Sequence, residues 1–119
     1  MDIENTALIY KIADATEFDE AVADGIYAGA PIDLQDGFIH FSTAAQLADT
    51  LRLHFKGRRN LVLAAVRTEE LGSDLRWEPS RGGALFPHLH ANLQMKAVAW
   101  SEPIEVDEQG GCRLPDRVR

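Results

Sequence analysis

The stretch GFIHFSTAAQLADTLRLHF, from Gly37 to Phe55, decides the fold because it combines a turn, a short buried strand and an amphipathic helix. Thr43 and Gln46 have the spacing of a capping box, in which two side chains satisfy free backbone N–H groups at a helix start. Apolar residues then recur at every fourth position, which predicts the buried face of a helix. These apolar residues are Leu47, Leu51 and Phe55.

One polar residue, His40, interrupts the apolar strand, and Ser42 and Thr43 follow it where the strand turns into the helix. A strand that ends in this way brings an imidazole and two hydroxyl groups to a helix N-terminus. Such a terminus favours anions, because its backbone N–H groups point outward. The sequence therefore predicts a ligand site around His40.

Composition limits the possible function classes. The chain has 119 residues and a net charge of −7, which argues against a surface dedicated to nucleic acid or to an anionic membrane. Cys112 is the single cysteine, so no intramolecular disulfide can form. The N-terminal residues lack the pattern of a signal peptide, and the longest apolar run, Leu61 to Val66, is too short to span a bilayer. We therefore expect a cytoplasmic protein.

The order of apolar and polar segments predicts an α+β fold. We expect one compact domain over residues 1–119, with a core over about 8–106 and a polar C-terminal tail over 107–119 that frays. Two main helices and about six short strands predict a mixed or mainly antiparallel, bent sheet. Residues 26–36 contain Gly, Pro and Asp and are predicted to form a loop with a brief strand at its start.

A second group of histidines occurs within the segment Phe86–Leu93. His88 and His90 are two positions apart, so in an extended chain both imidazoles point the same way. With His40 they would resemble a three-histidine zinc site with an open position. The alternative is a structural role, in which Phe86 and its neighbours pack while the imidazoles hydrogen-bond the backbone.

The loop from Pro79 to Gly83 carries two further candidates. Glu78, just before it, could act as a general base or hydrogen-bond a sugar hydroxyl, or could be a surface carboxylate paired with Arg76 or Arg81. Arg81 lies beside two glycines and could approach a phosphate. The loop lacks the glycine spacing of known nucleotide-binding loops.

Four motifs in order resemble those of the bacterial DUF952 family: IYKIAD, DGFIHFSTAAQL, RWEP and FPHLHANL. The resemblance covers about residues 8–106. It implies a fold grouped with the ADP-ribosyltransferase-like domains, a split and strongly bent β-structure with an NAD-binding cleft in active members. DUF952 relatives often have histidine at the position of Lys11, where this chain differs.

The resemblance also implies roles for particular residues. His40 corresponds to the aromatic residue that active transferases place against nicotinamide, with Ser42 and Thr43 lining the cleft. Tyr10 and Lys11 lie where those enzymes hold the adenosine ribose or phosphate. RNA 2′-phosphotransferases of the same fold work with histidine and arginine, which suits the residues present here.

The resulting hypothesis is a cleft that binds a phosphorylated, nucleotide-like small molecule, such as NAD or an ADP-ribosyl compound, with a possible transferase activity. His40, His88 and Glu78 are the candidate catalytic residues. The candidate ligand-binding residues are Tyr10, Lys11, Ser42, Thr43 and Arg81. The alternatives are a metal- or metabolite-binding module that uses His40, His88 and His90, with zinc as the metal, or a non-catalytic structural or interaction domain.

Overall fold

The computed structural model describes residues 7–118, apart from the side chain of Arg81. Within that range the chain forms eight strands and three helices. The strands are β1 (Leu8–Asp14), β2 (Ile26–Tyr27), β3 (Ile39–His40), β4 (Leu61–Arg67), β5 (Leu75–Pro79), β6 (Leu85–Leu89), β7 (Leu93–Gln94) and β8 (Val98–Ile104). The helices are α1 (Ala15–Asp24), α2 (Pro31–Asp36) and α3 (Leu47–His54).

All the described strand pairs are antiparallel, and they form three small sheets with the orders β1-β4-β8, β2-β7 and β3-β6-β5. A bridge between Tyr10 and Ser42 links the first sheet to the third, because each backbone N–H donates to the other residue's carbonyl oxygen. The expected α+β domain with a mainly antiparallel sheet is confirmed.

The first sheet separates two apolar cores. Alternate residues of β1 point to opposite faces. Ile9 packs on one side with Phe18 of α1, Ile39 and Leu89. Tyr10 packs on the other side, with α3 and the C-terminal segment. Lys11 shares the face of Ile9, and this places its ammonium group on the side of the sheet where β3 and β6 lie.

The helix starts follow from local sequence. The Asp14 side chain accepts a hydrogen bond from the N–H of Glu17 and so caps α1. Before α3, the Thr43 hydroxyl accepts from the N–H of Gln46, and the Gln46 side chain accepts from the N–H of Thr43. The predicted capping box is therefore confirmed, and it opens a short 3₁₀ turn that leads into α3.

The structure corrects the prediction of a loop over residues 26–36, because Pro31–Asp36 is a helix, α2. Pro31 occupies the first turn, where its missing N–H is no loss. The Asp33 carboxylate accepts from the N–H of Ala30 at 2.8 Å and satisfies the helix start. Gly37, with a φ of 87°, ends the helix in the left-handed conformation that glycine adopts readily.

The C-terminal segment was expected to fray, and for residues up to 118 that expectation is wrong. The Arg117 guanidinium lies 4.5 Å from the centre of the Trp100 ring, and its Nε donates to Glu102 at 2.8 Å. Leu114 and Val118 pack against the second core. The segment therefore covers one side of β8. Among the described residues, no helix has the length and apolar character needed to cross a membrane.

Candidate functional site

Strands β3 and β6 bring two histidines together. His40 lies directly opposite His88 in the antiparallel register, and their ring centres are 5.4 Å apart. Glu78 of β5 reaches the same place from the other side of β6. Cross-strand neighbours on one face of a sheet lie close enough for direct contact. Three strands that are separate in sequence thus meet in one polar cluster.

Glu78 holds two of the imidazoles through one oxygen atom. Its Oε1 lies 2.8 Å from His88 Nδ1 and 2.9 Å from His90 Nε2. The predicted common direction of His88 and His90 is therefore confirmed, although their partner is Glu78 rather than the backbone. The hydrogen bonds from His90 and His88 lower the pKa of Glu78 from its usual value.

The two imidazoles contact Glu78 through different ring nitrogens. When each donates its proton to Glu78, His88 is protonated on Nδ1 and His90 on Nε2, and the other nitrogen of each neutral ring keeps a lone pair. Within the described residues, His90 Nδ1 makes no hydrogen bond. A carboxylate that orients an imidazole with one free nitrogen is an arrangement suited to proton transfer.

A second carboxylate, Asp33 of α2, holds His40. Asp33 Oδ1 accepts from His40 Nδ1 at 2.6 Å and from the His40 backbone N–H at 3.1 Å. Asp33 Oδ2 accepts from Lys11 Nζ at 2.7 Å, in addition to the bond from Ala30. Asp33 is only 1% exposed, so this carboxylate is a buried and fully bonded group.

Burial, hydrogen bonding and opposite charge explain the directions in which the pKa values of Asp33 and Lys11 are shifted. Burial by itself would raise the pKa of Asp33, but the His40 hydrogen bond and the charge of Lys11 outweigh it and lower the pKa to about 2. Burial lowers the pKa of Lys11, and the attraction of Asp33 opposes that effect. Lys11 also donates to the His40 carbonyl oxygen at 3.1 Å. The pair therefore fixes both the backbone and the ring of His40.

Local sequence explains why Asp33 reaches this place. A Cβ atom at Gly29 would lie 2.8 Å from Asp33 Cβ, so any larger residue would displace the carboxylate. At the other end of α2, Asp36 Oδ2 lies 3.0 Å from His40 Nε2. Both ring nitrogens of His40 therefore face a carboxylate, and both contacts are satisfied when each nitrogen carries a proton.

The Phe38 ring lies against all three imidazoles. Its ring centre is 4.1 Å from that of His88, 4.7 Å from His40 and 5.1 Å from His90. Zinc needs its nitrogen ligands at about 2.0–2.1 Å around one point. Among residues 7–118, no group of three or more His, Cys, Asp or Glu side chains has an arrangement that could hold a metal ion.

A cavity of about 230 Å³ opens beside this cluster. Asp33, Phe38 and His90 are among its lining residues, together with apolar groups from α2 and β6. His40, His88 and Glu78 lie next to the cavity but do not line it. His88 is only 4% exposed, whereas the side chains of His40 and Glu78 are 34% and 35% exposed.

The structure brings together five of the residues singled out from the sequence: Lys11, His40, Glu78, His88 and His90. Tyr10 lies on the opposite face of β1, 1% exposed, with its ring 5.9 Å from that of Trp100. The Ser42 hydroxyl bonds Thr50 at 3.0 Å, and the Thr43 hydroxyl caps the turn before α3. The side chain of Arg81 lies outside the described part of the chain.

The sequence reasoning missed Asp33 and Asp36, because it assigned their segment to a loop. The available signal was the acidic residue two positions after Pro31, since proline and then an acidic group in the first turn is a common helix start. It would have predicted α2. The contacts of Asp33 with the distant residues Lys11 and His40 had no signal in the sequence.

Comparison with known proteins agrees with the resemblance found in the sequence. Residues 12–101 match the model of the family described as "Protein of unknown function (DUF952)". The chain is similar to the crystal structure of protein CC0527 from Caulobacter crescentus, with 46% identity, 93% of this chain and 97% of that chain covered, and a TM-score of 0.86.

The solution NMR structure of CC0527 also matches, at 47% identity over 87% of this chain and 90% of that chain, with a TM-score of 0.77. No curated protein matches the chain.

Proposed function

This chain belongs to the DUF952 family, and we propose that it binds a small nucleotide-like ligand in the cavity beside Phe38 and transfers protons to or from it through His90. The observation that carries this proposal is that His90 contacts both the cavity and Glu78. It lines the cavity, and Glu78 holds its Nε2 at 2.9 Å. His90 is therefore oriented by the protein on one side and able to meet a ligand on the other.

The remaining residues of the cluster support His90 in different ways. His88 lies buried under Phe38 and bonds the same Glu78 oxygen, so it helps to fix the carboxylate. In this proposal His88 is a positioning group rather than the group that touches the ligand. His40 lies on the other side of Phe38, one-third exposed, and is the second candidate, as a general acid, because both of its ring nitrogens are held by carboxylates.

The size of the cavity favours one ring of the ligand rather than a whole dinucleotide. Pockets for drug-sized ligands have volumes of about 300–1,000 Å³, and this cavity has about 230 Å³. A nucleobase or nicotinamide ring fits that space, and the Phe38 ring offers an aromatic surface to it.

Phosphate groups of such a ligand lie outside this cavity in our proposal. No lysine or arginine occurs among the described residues that line the cavity. Lys11, which the sequence suggested for phosphate binding, is buried against Asp33. Arg81 stays the candidate for a phosphate contact, on the basis of its sequence position beside two glycines.

The most specific form of the proposal keeps the kinship with ADP-ribosyltransferase-like domains, with NAD or an ADP-ribosyl compound as ligand and group transfer as the reaction. The division of the strands into three small sheets beside a cavity supports it. Active transferases of this fold use a glutamate to stabilise a ribosyl cation, and Glu78 is the candidate for that role by residue type and by its position next to the cavity.

Thermal unfolding of metal-stripped protein tests this proposal with adenine, nicotinamide, NAD, ADP-ribose and zinc added separately. A ligand at a hundred times its dissociation constant stabilises by about 2.7 kcal/mol, which for a domain of this size raises Tm by roughly 10 °C. We expect such a shift with at least one ring-bearing ligand. A shift with zinc alone, or with none of the compounds, would overturn the proposal.

Variants locate the binding site. His90→Ala and His40→Ala should weaken the ligand that binds, His90→Ala by about tenfold or more. His54→Ala is the matched control, because His54 is an exposed histidine on α3, which belongs to the opposite core. Unchanged affinity and turnover in both site variants would show that neither His90 nor His40 takes part in the function.

A further inference from the structure

A second cavity, of about 330 Å³, lies next to the first one. It is formed by the 3₁₀ turns Thr68–Glu70 and Gly72–Asp74, by the segment after β6, and by β7 and the turn that follows it. The turn Gly72–Asp74 also positions His90, because the His90 backbone N–H donates to the Asp74 carbonyl oxygen at 2.8 Å.

The two cavities share part of their walls. Leu89, Ala91 and Asn92 line both of them. Leu89 is buried and forms part of the floor, whereas Ala91 and Asn92 are exposed at the surface. The two cavities are therefore adjacent, with Ala91 and Asn92 between them.

The lining of the second cavity differs in chemistry from that of the first. It combines two carboxylates, Glu70 and Asp74, with two carboxamides, Asn92 and Gln94. The other lining residues, Leu71, Leu89, Ala91 and Ala97, are apolar. The described lining contains no lysine or arginine.

This set of groups matches a neutral polyhydroxyl group. Hydroxyl groups both donate and accept, carboxylates accept, and carboxamides do both, so a vicinal diol can donate to the carboxylates and accept from the carboxamides. A phosphate offers acceptors only, and the two carboxylates would repel its charge. The apolar floor suits the C–H face of a sugar ring.

From this geometry we infer that the second cavity binds the sugar of the ligand, so that the preferred ligand class is a ring joined to a sugar whose vicinal hydroxyl groups carry no phosphate. This inference rests on the proposed function, because it takes the ring to lie in the first cavity. It adds a subsite and predicts that affinity comes from ring and sugar rather than from phosphate.

Calorimetric titration with two series of compounds tests the inference: adenine, adenosine and AMP, and nicotinamide, its riboside and its mononucleotide. We expect the nucleoside of one series to bind about tenfold tighter than its base, and the nucleotide to bind no tighter than the nucleoside. In the double variant Glu70→Ala, Asp74→Ala, nucleoside affinity should fall to that of the base, while base affinity is unchanged.

Glu69→Ala is the matched control, since Glu69 is an exposed acid in the same turn that lines neither cavity. An unchanged Tm of each variant verifies its fold. Three results would overturn this inference and leave the proposed function standing. The first is a base that binds as tightly as its nucleoside, and the second is a sugar contribution that survives the double variant. The third is tighter binding of the polycation spermidine than of any nucleoside. Failure of every base and nucleoside to bind overturns both.

Discussion

Asp33 holds one imidazole beside Phe38 and Glu78 holds two, but the two carboxylates differ in solvent exposure and in the number of hydrogen bonds that they accept. Asp33 is 1% exposed and accepts hydrogen bonds at both oxygens, from His40, Lys11 and Ala30. Glu78 has a side chain that is 35% exposed and receives His88 and His90 on one oxygen. Within the described residues its Oε2 has no partner.

In the proposed function, this difference separates a structural carboxylate, Asp33, from a carboxylate of the reacting cluster, Glu78. All the hydrogen-bonding capacity of Asp33 is used inside the protein, so a ligand has nothing to bind there. Glu78 keeps one oxygen and solvent access, so protons can enter and leave its cluster. Loss of a buried partner leaves an uncompensated charge, which is costly, whereas an exposed pair contributes little.

The largest effect should come from Asp33→Ala. This change leaves the buried Lys11 ammonium without its carboxylate, and breaking a buried pair costs about 3–5 kcal/mol. Urea unfolding measures the loss of the free energy of unfolding. The control is Asp36→Ala, which removes a surface partner of His40 and should cost less than about 1 kcal/mol. Equal costs for the two variants would contradict the distinction drawn between buried and exposed carboxylates.

Lys11→Met should cost somewhat less, about 2–3 kcal/mol, because Asp33 keeps the donors of His40 and Ala30. The double variant Lys11→Met, Asp33→Leu should be more stable than the summed losses of Lys11→Met and Asp33→Leu predict, since neither charge is left buried alone. A double-mutant cycle with simple additivity would show that the two side chains do not interact.

Acid should destabilise the protein through Asp33. Its pKa in the folded protein is lowered from 3.8 to about 2. The stabilisation is therefore fully present above about pH 4 and is lost as the pH falls towards 2, and it amounts to roughly 2 kcal/mol. Comparison of wild type with Asp33→Asn between pH 6 and 2 measures it. A variant with the same acid dependence as wild type would assign that dependence to other carboxylates.

Glu78→Gln should have the smallest effect on stability, because the side chain is partly exposed to water. The lowered pKa of Glu78 acts in the same pH direction as that of Asp33. The variant should nevertheless change the ring ¹⁵N chemical shifts of His88 and His90, since a neutral amide replaces their shared acceptor. Unchanged shifts, with a large fall in stability, would reverse the roles of the two carboxylates.

Periodicity and caps were sufficient to predict the main elements. The Thr43–Gln46 capping box and the helix with Leu47 and Leu51 on its buried face depend on neighbours in sequence. The common direction of His88 and His90 follows from strand alternation and was equally predictable. Local rules are sufficient wherever both partners lie within a few residues.

The partners of the buried polar groups could not be predicted in the same way. Lys11 and Asp33 are held together by the packing of β1 against α2, and Glu78 meets His88 only through the register of β5 and β6. A single sequence contains no measure of such distances. Tyr10 and Lys11 are a different case: the family resemblance assigned both to one cleft, although strand alternation places these adjacent residues on opposite faces of β1.

The strand order β1-β4-β8 also constrains how the protein is made. Tyr10 pairs with Ala65, which in turn pairs with Trp100, so the central sheet closes only after β8 has been synthesised and can reach β4. Such non-local pairing is slow, because the entropy of loop closure must be overcome before contacts form. Until β8 arrives, β4 offers an apolar edge to other nascent chains. Delayed protection of the β4 edge during synthesis is therefore a direct consequence of this topology.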